Sequence, residues 1–108
     1  MNNIFKNVPE ELKEELFETI LDGERVKVER IVSAGQATPS GEWLEQEEAE
    51  WVILLSGGAE LSFDDGAQSE RMKPGDYIFI KAGRRHRVEW TDLDQKTVWL
   101  AVYQLELG

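Results

Sequence analysis

Cysteine is absent from this 108-residue chain, and histidine occurs once, at His86. Without cysteine there is no disulfide framework, no thiolate metal site and no Cys nucleophile. One histidine, with no serine in a nucleophile motif, argues against a hydrolase triad. No stretch nears the roughly 20 apolar residues needed to span a bilayer. The opening Met1–Lys6 carries no apolar run of signal-peptide length. Positive charge is scarce too: 12 Lys and Arg stand against 22 Asp and Glu, a formal net charge of −10. Such a chain repels phosphate backbones, which argues against nucleic acid as a partner. These absences lead to the expectation of a cytoplasmic protein without nucleic-acid or membrane partners. The length suits a single domain over 1–108, able to bury one core unaided.

What the chain has is a series of short β-prone runs cut by turn residues. Only Pro9–Leu16 reads differently. An early proline and a first turn of acids predict a short N-terminal helix there, about two turns long. Phe17–Leu21 and Arg25–Val32 flank Asp22-Gly23, a hairpin signal. Ser33–Ser40 reads as a loop. Gly41–Glu50 holds five glutamates in ten residues and reads as a solvated loop or edge. Trp51–Leu55 is apolar at every position, so both its faces need cover. Ala59–Phe63 alternates cleanly. Further strands are predicted at Glu70–Lys73, Asp76–Ile80, His86–Trp90 and Thr97–Glu106. Turns fall at Ser56–Gly58, Asp64–Gly66, Pro74-Gly75, Ala82-Gly83 and Asp92–Asp94. Many short strands with such turns predict an all-β sandwich or antiparallel barrel.

Alternation along a strand assigns faces. If Glu50 points inward, Val52 and Leu54 do as well, and Trp51, Ile53 and Leu55 point outward. That outward row needs cover from the N-terminal segment or from a second subunit, and a homodimer is the expected arrangement. His86, Val88 and Trp90 share one face of their strand by the same rule. Trp99, Ala101 and Tyr103 share a face of the last strand. A cavity lined by Glu50, His86, Trp90, Trp99 and Tyr103 would be mostly apolar with a few polar groups, the usual make-up of a small-molecule pocket. The one basic cluster is Lys81, Arg84, Arg85 and Arg87. It reads either as a solvated strand end or as a rim where Arg84 and Arg85 steer an acidic substrate.

The spacing of these residues resembles the cupin superfamily. Gly41, Glu50 and Gly57 (about 41–57) fit the first cupin motif, and Gly75, Gly83 and His86 (about 75–90) fit the second. The resemblance implies a jelly-roll-like antiparallel barrel. Cupin metal sites typically use three His and one Glu. Here Leu44 and Gln46, or with a four-residue spacing Trp43 and Glu45, stand where a His-X-His pair belongs, Lys81 replaces a proline and Trp90 an asparagine. The carry-over keeps Glu50 and His86 as metal ligands and adds Gln46.

Two oxygens and one imidazole suit one divalent cation such as Mn²⁺, Fe²⁺, Zn²⁺ or Ni²⁺, with open positions for substrate or water. No organic cofactor is expected. A bound cation would polarise a substrate oxygen or activate water or dioxygen. Two other classes stay open. One is a metal-free module binding or sensing a sugar or another small polar ligand, with Glu50 and His86 hydrogen-bonded in an empty cavity. The other is an interaction protein acting through the Trp51-Ile53-Leu55 face.

Overall fold

A computed structural model describes residues 1–105. Among the described residues eight strands form, in runs rich in β-branched and aromatic residues. They are β1 (Leu16–Asp22), β2 (Val26–Ser33), β3 (Ala49–Ser56), β4 (Ala59–Phe63), β5 (Glu70–Met72), β6 (Tyr77–Ile80), β7 (His86–Thr91) and β8 (Thr97–Gln104). All pairings are antiparallel. The strands make a five-stranded sheet, β1-β2-β8-β3-β6, facing a three-stranded one, β5-β4-β7. The result is an all-β, jelly-roll-like barrel, as the turn spacing predicts. The last strand was expected to reach Glu106, which lies outside the described residues.

β8 sits between β2 and β3 and sets their register. Tyr103 lies opposite Glu50, and Trp99 opposite both Leu54 and Ile31. Alternation then sends Glu50, Val52 and Leu54 inward, where all three are buried. Facing them from the small sheet are Ala59, Leu61 and Phe63, also buried. These two inner faces form the core.

No helix occurs among the described residues, so the expected helix at Pro9–Leu16 is corrected: the segment is irregular until Leu16 opens β1. Two turns of helix do not stand without tertiary support, and here tertiary contacts favour the irregular form. Lys96 Nζ donates to Glu10 O at 2.5 Å, and Gln36 Nε2 donates to Leu12 O at 3.1 Å. The carbonyls a helix would have used are thus bonded elsewhere. Further upstream, buried Arg30 donates to the carbonyls of Ile4, Lys6 and Asn7. The N-terminal segment therefore straps the outer face of the large sheet at its β1–β2 end.

Beyond the strap, the outer face stays apolar. Trp51 and Ile53 pair with Phe79 and Tyr77 of the edge strand β6. Tyr77 is 66% exposed and Phe79 51%. The Trp51 and Tyr77 rings meet at a tilt of 40°, with centroids 5.4 Å apart. Leu55 falls where the β3–β8 register slips.

Gly57 is the tightest turn position. Its φ is +84°, and a Cβ there would lie 2.3 Å from Thr97 Oγ1 and 2.8 Å from the Lys96 carbonyl oxygen. Gly75 has φ +94° but open space around it. Gly57→Ala should therefore cost about 3 kcal/mol, strain plus overpacking, and Gly75→Ala only about 1 kcal/mol. Urea titration of both variants checks this.

Candidate functional site

The two inner faces leave a cavity of about 80 Å³ at one end of the barrel. Each of its polar residues is placed by a separate device. Glu50 arrives on β3 by alternation and is only 6% exposed. No hydrogen bond or ion pair reaches its carboxylate among the described residues. Burial pushes its pKa up from 4.5 to about 7, and the charge of Glu29 on β2 adds to the rise.

His86 opens β7 and is 4% exposed. Its backbone exchanges hydrogen bonds with Leu44, at 2.7 and 3.0 Å. Its ring Nδ1 lies 3.0 Å from Arg84 O. A carbonyl only accepts, so Nδ1 donates there and Nε2 is the nitrogen left for the cavity. An imidazole oriented in this way by its second nitrogen is the usual arrangement in a metal ligand.

Gln46 is held by its own backbone, whose carbonyl accepts from Gly83 N at 2.8 Å. Its side-chain Oε1 is buried without a hydrogen-bond partner. Such an orphan is costly in a folded protein and points to a missing partner. Tyr103 lies beside these groups. Burial, then the charges of Glu50 and Glu29 and a hydrogen bond to Glu29, drive its hydroxyl well above the ordinary range; a hydrogen bond with Gln46 opposes the rise. The phenol stays protonated. Trp99 completes the wall and donates Nε1–H to Ser33 Oγ at 3.1 Å.

Gln46, Glu50, His86, Trp99 and Tyr103 thus line one cavity. Trp90 does not. Between Glu60 and Leu61 the β4–β7 register slips, and Trp90 pairs with Glu60 while Val88 pairs with Leu61. Glu89 is the extra residue of a bulge, and a bulge reverses face assignments beyond it. Trp90 therefore points outward, with Arg71 over its ring at 4.7 Å.

Arg84 and Arg85 also stand away from the cavity. Arg84 pairs with Asp65 at 2.8 Å and lies over the Phe63 ring at 3.7 Å. Arg85 pairs with Asp64 at 2.8 Å. Arg87 donates to the carbonyls of Thr38, Pro39 and Glu42. The basic cluster tethers loops. Glu15 is a lining residue that the sequence reading passed over, because it sat inside the expected helix. The acid at this position carried no motif signal.

The donor set has one carboxylate, one imidazole and one orphaned amide oxygen in a common cavity. No group of three or more His, Cys, Asp or Glu is placed to hold a metal among the described residues, so a metal here would need Gln46.

The cupin domain family matches residues 28–103. The chain is a cupin. A putative mannose-6-phosphate isomerase from Ralstonia eutropha JMP134 is 40% identical, with TM-score 0.93 and 98% of each chain covered. A polyketide cyclase, RemF, from Streptomyces resistomycificus is 25% identical, with TM-score 0.72, covering 87% of this chain and 67% of its own. A cupin superfamily protein from Desulfitobacterium hafniense DCB-2 shares the fold at 18% identity and TM-score 0.74, covering 92% of this cupin and 84% of its own chain. No curated protein matches this chain. No helix among the described residues is long and apolar enough to cross a membrane.

Glu50 gives a pH signature to the metal-free protein. Its folded pKa lies above its unfolded value, so its stabilising contribution is complete below about 4.5 and is lost as pH rises through 7. Chelator-treated protein should lose up to about 3 kcal/mol from this group between roughly pH 5 and pH 8. Glu50→Gln should flatten that slope in denaturant titrations.

Proposed function

We propose that this cupin binds a small molecule in its barrel through a divalent cation held by Gln46, Glu50 and His86. The observation that carries the reading is the orphaned Oε1 of Gln46 in a cavity shared with an unpaired Glu50 and a His86 whose Nδ1 is already bonded. Gln46 Oε1, Glu50 and His86 each offer a lone pair to a common cavity, which suits a cation. Such a cation supplies Lewis acidity toward a substrate oxygen. The chain's own part is to fix three donors and to keep water out with Ile31, Val52 and Trp99. With one imidazole replaced by an amide, affinity should fall below that of a three-histidine site.

The metal-free sugar-binding alternative fits less well. A cavity of about 80 Å³ lies below the roughly 300 Å³ at which drug-sized ligands begin. A hexose phosphate, as the name of the Ralstonia relative would suggest, fits no better. No Lys or Arg lines the cavity to meet a phosphate.

We also propose that this cytoplasmic cupin works as a homodimer through the Trp51, Ile53, Tyr77 and Phe79 face. These four residues carry no charge on a chain with formal charge −10, so two copies meet there with least repulsion.

Elemental analysis of protein purified without chelator should find near-stoichiometric metal, lost in His86→Ala. Absence of metal after soaking with Mn²⁺, Fe²⁺, Ni²⁺ and Zn²⁺ would sink the reading. Because Glu50 must ionise to bind, affinity should tighten about tenfold per unit as pH rises from about 5 toward 7 and level off above it. Sedimentation should show a dimer that Phe79→Lys converts to a folded monomer.

A further inference from the structure

The cavity has a further polar group, outside the residues 28–103 that match the cupin family. Glu15 lines the same cavity as Glu50 and His86. Buried Ser33 donates its hydroxyl to Glu15 Oε2 at 2.5 Å, and Trp99 Nε1–H donates to Ser33 Oγ. An indole only donates and a carboxylate only accepts, so the relay runs one way, from Trp99 through Ser33 to Glu15. Both donors are spent on holding the carboxylate. Glu15 is not gathered with Glu50 and His86 into a metal-holding group. Half-buried as it is, it keeps lone pairs free for solvent or for a ligand in the cavity.

The lining as a whole then has a definite chemistry. Gln46 Oε1, Glu50, His86 Nε2 and Glu15 offer acceptors, the Tyr103 hydroxyl and the Gln46 amide N–H are the donors, and no Lys or Arg lines the cavity. Glu50 and His86 are each more than nine-tenths buried. An anionic head is repelled by Glu15. A compound that offers both an oxygen lone pair and an O–H satisfies both kinds of group. Ile31, Val52 and Trp99 give its carbon skeleton apolar walls. A cavity of about 80 Å³ equals the share of roughly three waters, so the compound has only a few heavy atoms.

We propose that Glu15 is the specificity residue of this site and selects short, uncharged hydroxyl compounds, accepting a hydroxyl hydrogen where the N-terminal segment joins the lining. The proposal rests on the cavity being the ligand site. It assigns the ligand class and gives the N-terminal segment a part in recognition.

The test uses the full chain labelled with ¹⁵N, loaded with Zn²⁺ and also metal-free. The Trp99 indole N–H signal, assigned through Trp99→Phe, reports on the relay. Ethane-1,2-diol should shift that signal saturably in the wild type, and acetate should leave it unmoved. Glu15→Gln should weaken the diol about tenfold or more and let acetate in, because the amide also donates. Ser33→Ala, which keeps the carboxylate but frees it, should give a smaller loss. A merely structural role would weaken the diol without letting acetate in. Wild-type protein shifted as strongly by acetate as by the diol would overturn the proposal. So would Glu15→Gln binding the diol as tightly as the wild type. Diol binding that needs Glu15 in protein unable to take up Zn²⁺ would leave the proposal standing and remove the metal reading. Zn²⁺ bound stoichiometrically with diol binding indifferent to Glu15→Gln would do the reverse.

Discussion

The register of β8 against its two neighbours is the constraint on which this molecule depends. Side chains alternate along a strand, so a slip of one residue would exchange the inner and outer faces of the sheet. With Tyr103 opposite Glu50 and Trp99 opposite Leu54 and Ile31, the large sheet turns its polar chemistry inward. Glu50 is then forced into an apolar wall, where its carboxyl is pushed up to about 7. The cost of that burial is borne by a sheet that cannot shift without exposing Val52, Leu54 and Ala101, all buried.

Around this frame, the site is assembled from short-range devices of different kinds. Main-chain hydrogen bonds place Leu44 beside His86 and Gln46 beside Gly83. A second-nitrogen hydrogen bond sets the His86 ring, and a hydroxyl–indole pair sets Glu15. The arginines that flank His86 in sequence serve the loops around the site. They tie down the Asp64-Asp65 turn and the segment from Thr38 to Glu42. Positive charge near the histidine in sequence is thus spent before it can reach the cavity.

Much of this was legible in the residues. Asp22-Gly23, Pro74-Gly75 and Ala82-Gly83 mark real turns, and the alternation in Ala59–Phe63 and at Glu50, Val52 and Leu54 gives the true faces. Local chemistry decides such features, and the sequence displays local chemistry directly. The misses share a cause. Pro9–Leu16 has helical residues, but Gln36 and Lys96, far along the chain, take its carbonyls. Trp90 was given the wrong face because a bulge leaves no mark in a pattern of alternation. Arg84 and Arg85 looked free because nothing local shows that Asp64 and Asp65 lie against them. Glu15 was hidden for a related reason, since one acid in an acidic run has no distinguishing neighbour.

The bulge in β7 has a consequence for how this barrel can vary. Glu89 and Trp90 together oppose Glu60, while His86 and Val88 before them, and Thr91 after, meet the inward residues Phe63, Leu61 and Ala59. The additional residue is absorbed on the outer surface. Loss of that one residue would leave His86, Val88 and Thr91 facing the interior. The bulge is therefore a place where this strand can shed a residue without altering what it shows the pocket.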